Sequence, residues 1–136
     1  MIRPFKLSVS QKTLNEIYKK VKKYPWNNIE NIHGWTHGTN YNYLKKISKY
    51  WCTKFNWKKQ EDKINSFSNY VTNVNGVKIH FIKEKSSNPK SKPLLLLHGW
   101  PGSVVEFFKL IPRLAHPEKF GGKKEDGFDV VVPSLP

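Results

Sequence analysis

Four consecutive leucines, residues 94–97, run straight into His98-Gly99-Trp100-Pro101-Gly102-Ser103. A run that short and that apolar reads as a buried β-strand covered on both faces, as a central strand of a sheet would be. The run gives way to a loop of permissive and stiff residues side by side. In open α/β sheets, function sits beyond the carboxyl ends of the strands, and residues 98–103 occupy that place. Gly99 and Gly102 allow unusual dihedrals or close approach. Trp100-Pro101 is an X-Pro bond, the class in which cis peptides occur. Such a turn aims the Trp100 N–H into the space above the strand ends, where a fixed backbone donor is half of an oxyanion hole. A phosphate loop is disfavoured, because the stretch has neither enough glycines nor a Lys-Ser/Thr pair. A purely structural turn stays open on these residues alone. His98 reads as a support for the loop rather than a base, since no nucleophile is near it in sequence.

The rest of the chain places this loop. Residues 9–23 have helical periodicity, with Leu14, Ile17, Tyr18 and Val21 on one side and lysines opposite. Ser8 or Ser10 can cap this helix, and Tyr24-Pro25 ends it. Residues 25–40 read as an irregular connection. A second helix is expected over 41–54, with Leu44, Ile47, Ser48, Trp51 and Phe55 as its inner stripe. A third spans 57–65, capped by Asn56. The period then changes from helical to alternating. Residues 70–74 and 77–82 flank Asn75-Gly76, the strongest short signal for a hairpin. Residues 103–115 read as one helix, kinked or shortened at Pro112, and 128–136 as a strand ending in a turn.

The expected class is therefore α/β. An N-terminal helical arm (1–66) and a β-hairpin precede one strand–helix–strand unit with parallel strands. Residues 67–136 would be the start of an α/β core, with too few strands to cover the edges of its sheet. The expectation is that the chain ends partway through a larger domain.

Composition bounds the partners. The chain has 136 residues, enough for one small core, and its five Trp, six Tyr and eight Phe argue for a folded state. Its net charge of +14 is concentrated in the first half. A basic nucleic-acid or anionic-membrane binding module is the alternative reading that this charge raises. The 22 lysines form no compact run, however, so solvated faces are the simpler account. Cys52 is the single cysteine, which rules out an intrachain disulfide and a CxxC metal pair. His33 and His37 would need a helix to chelate a metal, and Gly34 and Gly38 oppose one. Glu61-Asp62 reads as a helix-face pair for nearby lysines, and His80 as surface or packed. No 18-residue apolar run or signal-peptide core occurs.

The ordered set of HGWPGS (98–103), EFFKLIPRL (106–114) and FDVVVPSLP (128–136) resembles the start of an α/β-hydrolase of the epoxide hydrolase type. Upstream, IRPFK, YLKKISKYW, FNWKKQ and INSFSNYVTNVNGVKIHFI resemble the N-terminal region of microsomal epoxide hydrolases, the group that includes juvenile hormone epoxide hydrolases. The resemblance covers essentially the whole chain and implies a two-step reaction on a hydrophobic epoxide. An aspartate opens the ring to a covalent ester while tyrosines protonate the oxygen, and a histidine then activates water to release a vicinal diol. It also implies that Trp100 supplies one oxyanion-hole amide through its backbone. The nucleophile, tyrosines and catalytic histidine lie beyond Pro136 in that family. The remaining hydrolase body would thus be the main partner, and the chain alone inactive. An esterase-type hydrolase would share the same loop and differ at the nucleophile. The resemblance further implies an endoplasmic-reticulum (microsomal) address through a membrane anchor absent from this chain, no cofactor, no metal and no nucleic-acid partner. Cut from the body, the arm's apolar seam would be exposed and the chain poorly soluble or molten.

Overall fold

A computed structural model describes residues 1–28 and 34–136. The chain divides into two compact units, residues 8–60 and residues 1–7 with 61–136. In the first, α1 (Gln11–Lys22) is capped by Ser10, whose hydroxyl accepts from Thr13 N–H. Leu14 is buried, with Ile17, Tyr18 and Val21 half-buried beside it, so the periodicity located this face. The helix α2 (Tyr41–Thr53) is capped by Asn40. Its inner face differs from the expected one. Of the expected stripe Ser48 and Phe55 are half-buried, but Leu44, Ile47 and Trp51 are 40, 41 and 42% exposed, and Tyr41 and Cys52 are half-buried in their place. The Cys52 thiol lies 3.9 Å from the Tyr18 carbonyl of α1. An apolar stripe gives a helix its period, but it does not say which neighbour the stripe meets. The helix α3 (Trp57–Asn65), which begins in this unit and from Glu61 on belongs to the other, has the expected bounds and the Asn56 cap, which accepts from Lys59 N–H. Glu61 is buried rather than placed on a solvated face, and it has a partner.

The second unit is built on a five-stranded sheet of order β1-β2-β3-β5-β4. The hairpin β2 (Asn69–Val74) and β3 (Val77–Glu84) turns at Asn75 and Gly76, with φ of 49° and 85°. Both turn residues have positive φ, as a two-residue hairpin loop requires. A short β1 (Arg3–Pro4) adds to β2. The strands β4 (Pro93–Leu95) and β5 (Asp129–Pro133) pair in parallel, and β5 pairs antiparallel with β3. Within this chain the leucine run lies at the edge of the sheet. Leu94 and Leu96 turn inward, while Leu95 and Leu97 are 59% and 58% exposed. Strand periodicity sends alternate side chains to opposite faces, and β4 has a strand neighbour on one side.

The segment expected as one helix over 103–115 is two pieces, a 3-10 turn over Val104–Phe107 and α4 (Ile111–Ala115). Pro112 lies in the first turn of α4, where its missing N–H costs no helical bond. Of the two expected effects of the proline the structure shows shortening: α4 is a short helix that begins at the residue before it, with no kink in a longer one. Ile82, Val104, Phe108, Ile111, Ala115, Val130 and Val132 form the core between these pieces and the sheet. Among the described residues, no helix is long and apolar enough to cross a membrane.

Asp129 pins the pole of the sheet opposite the leucine run's exit. Its carboxylate accepts from Lys85 Nζ at 2.6 Å, Ser91 Oγ at 2.6 Å and Ser86 N–H at 2.9 Å. The Lys85 contact and then the two serine donors hold its carboxyl well below the usual carboxylate range. A carboxyl depressed in the folded state stabilises fully above the unfolded pKa, near 4, and stops doing so as acid protonates it. Lys85 is exposed, so the ion pair itself adds little, and most of the stabilisation comes from the two serine donors. Asp129→Ala, which removes the Oδ1 that accepts from both serines, is expected to cost about 1–3 kcal/mol at pH 7. That difference shrinks as pH falls toward 2, which urea melts of both proteins across pH would show.

Candidate functional site

Because β4 and β5 run in parallel, the segments leaving them emerge at the same end of the sheet. Residues 98–103 come after β4, and Ser134-Leu135-Pro136 comes after β5. The first segment closes as a tight turn, in which Gly102 N–H donates to the Gly99 carbonyl at 2.6 Å. Ser103 then caps the 3-10 turn in a capping box. Val105 N–H donates to Ser103 Oγ at 3.4 Å, and Ser103 N–H donates to Glu106 Oε1 at 3.1 Å. The glycines divide the work unevenly. A Cβ at Gly102 would run into the Glu106 carboxylate and lie 2.9 Å from the Gly99 carbonyl oxygen, whereas a Cβ at Gly99 would meet open space. Gly102 is therefore required for close approach. Neither glycine has positive φ.

Trp100 is at the tip of the turn and 97% exposed. The Trp100-Pro101 bond is cis. Among the described residues, the Trp100 N–H has no hydrogen-bond acceptor. The His98 ring links the two exit segments: its Nε2 accepts from Leu135 N–H at 3.3 Å, and its Nδ1 lies 3.4 Å from the Gly99 carbonyl. A second histidine underlies them. His80 on β3 has Nδ1 at 2.8 Å from Ser134 Oγ and Nε2 at 2.9 Å from Asn69 Oδ1. Asn69 donates through Nδ2 to the Ile64 and Phe67 carbonyls, so its Oδ1 is an acceptor and His80 carries its proton on Nε2. Burial pushes the His80 pKa below that of a free imidazole, which suits this fully engaged neutral ring. Sequence reasoning placed His80 only as surface or packed. Its partners lie 11 and 54 residues away, and no local pattern reveals them.

The other candidates stand apart from this loop. His33 lies outside the described residues, and among those described no group of three or more His, Cys, Asp or Glu could hold a metal ion. A cavity of about 470 Å³ in residues 8–60 is lined by Val21, Trp26, Cys52 and the lysines 22, 45, 46 and 49. It brings together no acid or nucleophile pair.

Residues 2–107 match the model of the epoxide hydrolase N-terminus family. The chain belongs to that family. It is 39% identical over 139 residues to epoxide hydrolase 1 of Sus scrofa, covering 99% of this chain and 31% of the relative. To juvenile hormone epoxide hydrolase 1 of Ctenocephalides felis it is 35% identical over 139 residues, covering 99% and 29%. The crystal structure of juvenile hormone epoxide hydrolase from the silkworm Bombyx mori superimposes on all of this chain and 32% of its own, with a TM-score of 0.83 and 32% identity. The chain thus spans about a third of the length of the epoxide hydrolases that it matches. The helical arm, hairpin and strand–helix–strand order are those of the matching part of these α/β-hydrolases.

Proposed function

We propose that this epoxide hydrolase N-terminal chain supplies one oxyanion-hole donor, the Trp100 amide, to the hydrolysis of hydrophobic epoxides. The observation that carries the reading is the amide itself. Among the described residues it has no acceptor, in a tight turn at the end of the sheet where both parallel strands exit. In the first step a carboxylate attacks an epoxide carbon, the carbon–oxygen bond breaks, and the ring oxygen takes a proton from tyrosine hydroxyls. In the second, water loses a proton to a histidine and adds to the ester carbonyl, and the negative charge gathers on the carbonyl oxygen. The Trp100 N–H donates to that oxygen. Collapse frees the diol and restores the carboxylate, and the proton taken up by the histidine replaces the one the tyrosines gave. The carboxylate, tyrosines and histidine belong to a hydrolase body against which the helical arm (1–66) packs, and the start of the α/β core (67–136) contributes the HGWP loop. A microsomal, endoplasmic-reticulum address is part of the same reading.

A chimera tests this, in which the chain replaces the matching third of the silkworm enzyme. The chimera is expected to convert a hydrophobic epoxide to its diol, while the 136-residue chain alone does not. Turnover by the chain alone, or a folded chimera without turnover, would contradict the proposal.

A further inference from the structure

The Trp100 amide does not aim itself. The Gly99 carbonyl and the Trp100 N–H belong to one planar peptide, and it is trans, since the cis bond lies one residue later. In a trans unit the carbonyl and the N–H point in opposite directions. Whatever holds the Gly99 oxygen therefore sets the direction of the donor. Two groups hold it, Gly102 N–H at 2.6 Å and His98 Nδ1 at 3.4 Å. The second ring nitrogen of His98 faces Leu135 N–H at 3.3 Å. A backbone N–H can only donate, so Nε2 is the bare nitrogen and the proton is on Nδ1, where it can be donated to the Gly99 carbonyl.

We infer that His98 is a positioning residue, which orients the Trp100 amide through the Gly99-Trp100 peptide plane and anchors that plane to the segment after β5. This inference rests on the oxyanion role proposed for Trp100. The ring needs both nitrogens for the task, one as a donor and one as an acceptor. Neither lone pair nor proton is left over for a base, so His98 takes no proton from water. The two histidines of this pole have opposite tautomers: His98 is protonated on Nδ1 and His80 on Nε2. Each ring holds one residue of the β5 exit, Leu135 for His98 and Ser134 for His80.

The experiment uses the silkworm chimera with ¹⁵N-labelled histidine. Ring nitrogen shifts are expected to show His98 as the Nδ1–H tautomer, and an Nε2–H ring at residue 98 would overturn the inference. In single turnovers, His98→Ala is expected to leave the rate of ester formation unchanged and to slow ester decay about tenfold. His98→Asn, whose side-chain amide can replace the Nδ1 donor, recovers most of that loss. A general structural defect would slow both steps alike and would not respond to Asn, and that result would also overturn it. If the unsubstituted chimera forms no covalent ester, the epoxide reading fails, and the tautomer still decides the part played by His98.

Discussion

Replacing the amide at residue 100 by an ester, with the α-hydroxy analogue of tryptophan in the chimera, is expected to slow decay of the covalent intermediate by about 10²–10³-fold. The substitution deletes one hydrogen-bond donor and weakens the Gly99 carbonyl as an acceptor for Gly102 and His98, and it keeps the side chain and the adjoining proline; the lost donor is the larger effect. The oxyanion exists only while water adds to the ester, so the missing donor is felt at that step. Ring opening, which places charge on the epoxide oxygen, is expected to keep its rate. Intact-mass measurements on quenched single turnovers would show the ester forming normally and persisting. Trp100→Ala keeps the N–H and is expected to cost far less, because the indole is almost wholly exposed. Equal losses from the two changes would place the function of residue 100 in its side chain.

The second large effect belongs to the core. Ile82 is 0% exposed and pairs across β3 with Asn69 on β2 and Val132 on β5. It packs in the cluster that includes Val104, the first residue after the Ser103 cap, and Val132, near the end of β5. The same side chains thus hold the sheet together and fix where both exit segments begin. Ile82→Ala is expected to cost about 2–5 kcal/mol, from lost burial plus the cavity left behind, and Ile82→Val about 0.5–1.5 kcal/mol. Native-state hydrogen exchange of the β3 and β5 amides would read both values. A cost below that of Ile82→Val would mean that the core collapses around the gap.

Local chemistry made much of this fold legible in the amino-acid sequence. Asn75-Gly76 specified its turn because two consecutive positive φ values exclude most other residues. Asn56, and Ser10 as one of two candidate serines, announced helix starts because each can accept from an orphan N–H; the Asn40 cap of α2 went unread. Signals failed where the deciding partner is distant in the chain. The strand β1 is two residues long and holds a proline, and it exists only because β2 lies beside it. The exposed side of α2 could not be chosen from periodicity, since Leu44, Ile47 and Trp51 form an apolar stripe whichever way the helix faces. The length of the helical segment after Ser103 was misjudged because Pro112 suits a helix start better than a kink. At the candidate site, HGWPGS marked the loop and its strand-end position. The hydrogen-bonding of His98 to Leu135, 37 residues on, left no local trace.

The most direct test is a crystal structure of the chimera with the covalent intermediate trapped by removing its water-activating histidine. The account predicts the Trp100 nitrogen within about 2.7–3.1 Å of the ester carbonyl oxygen, with the Gly99 carbonyl still held by Gly102 and His98. An ester oxygen bound by other donors, with the Trp100 amide turned away from it or capped by a protein acceptor, would contradict the account.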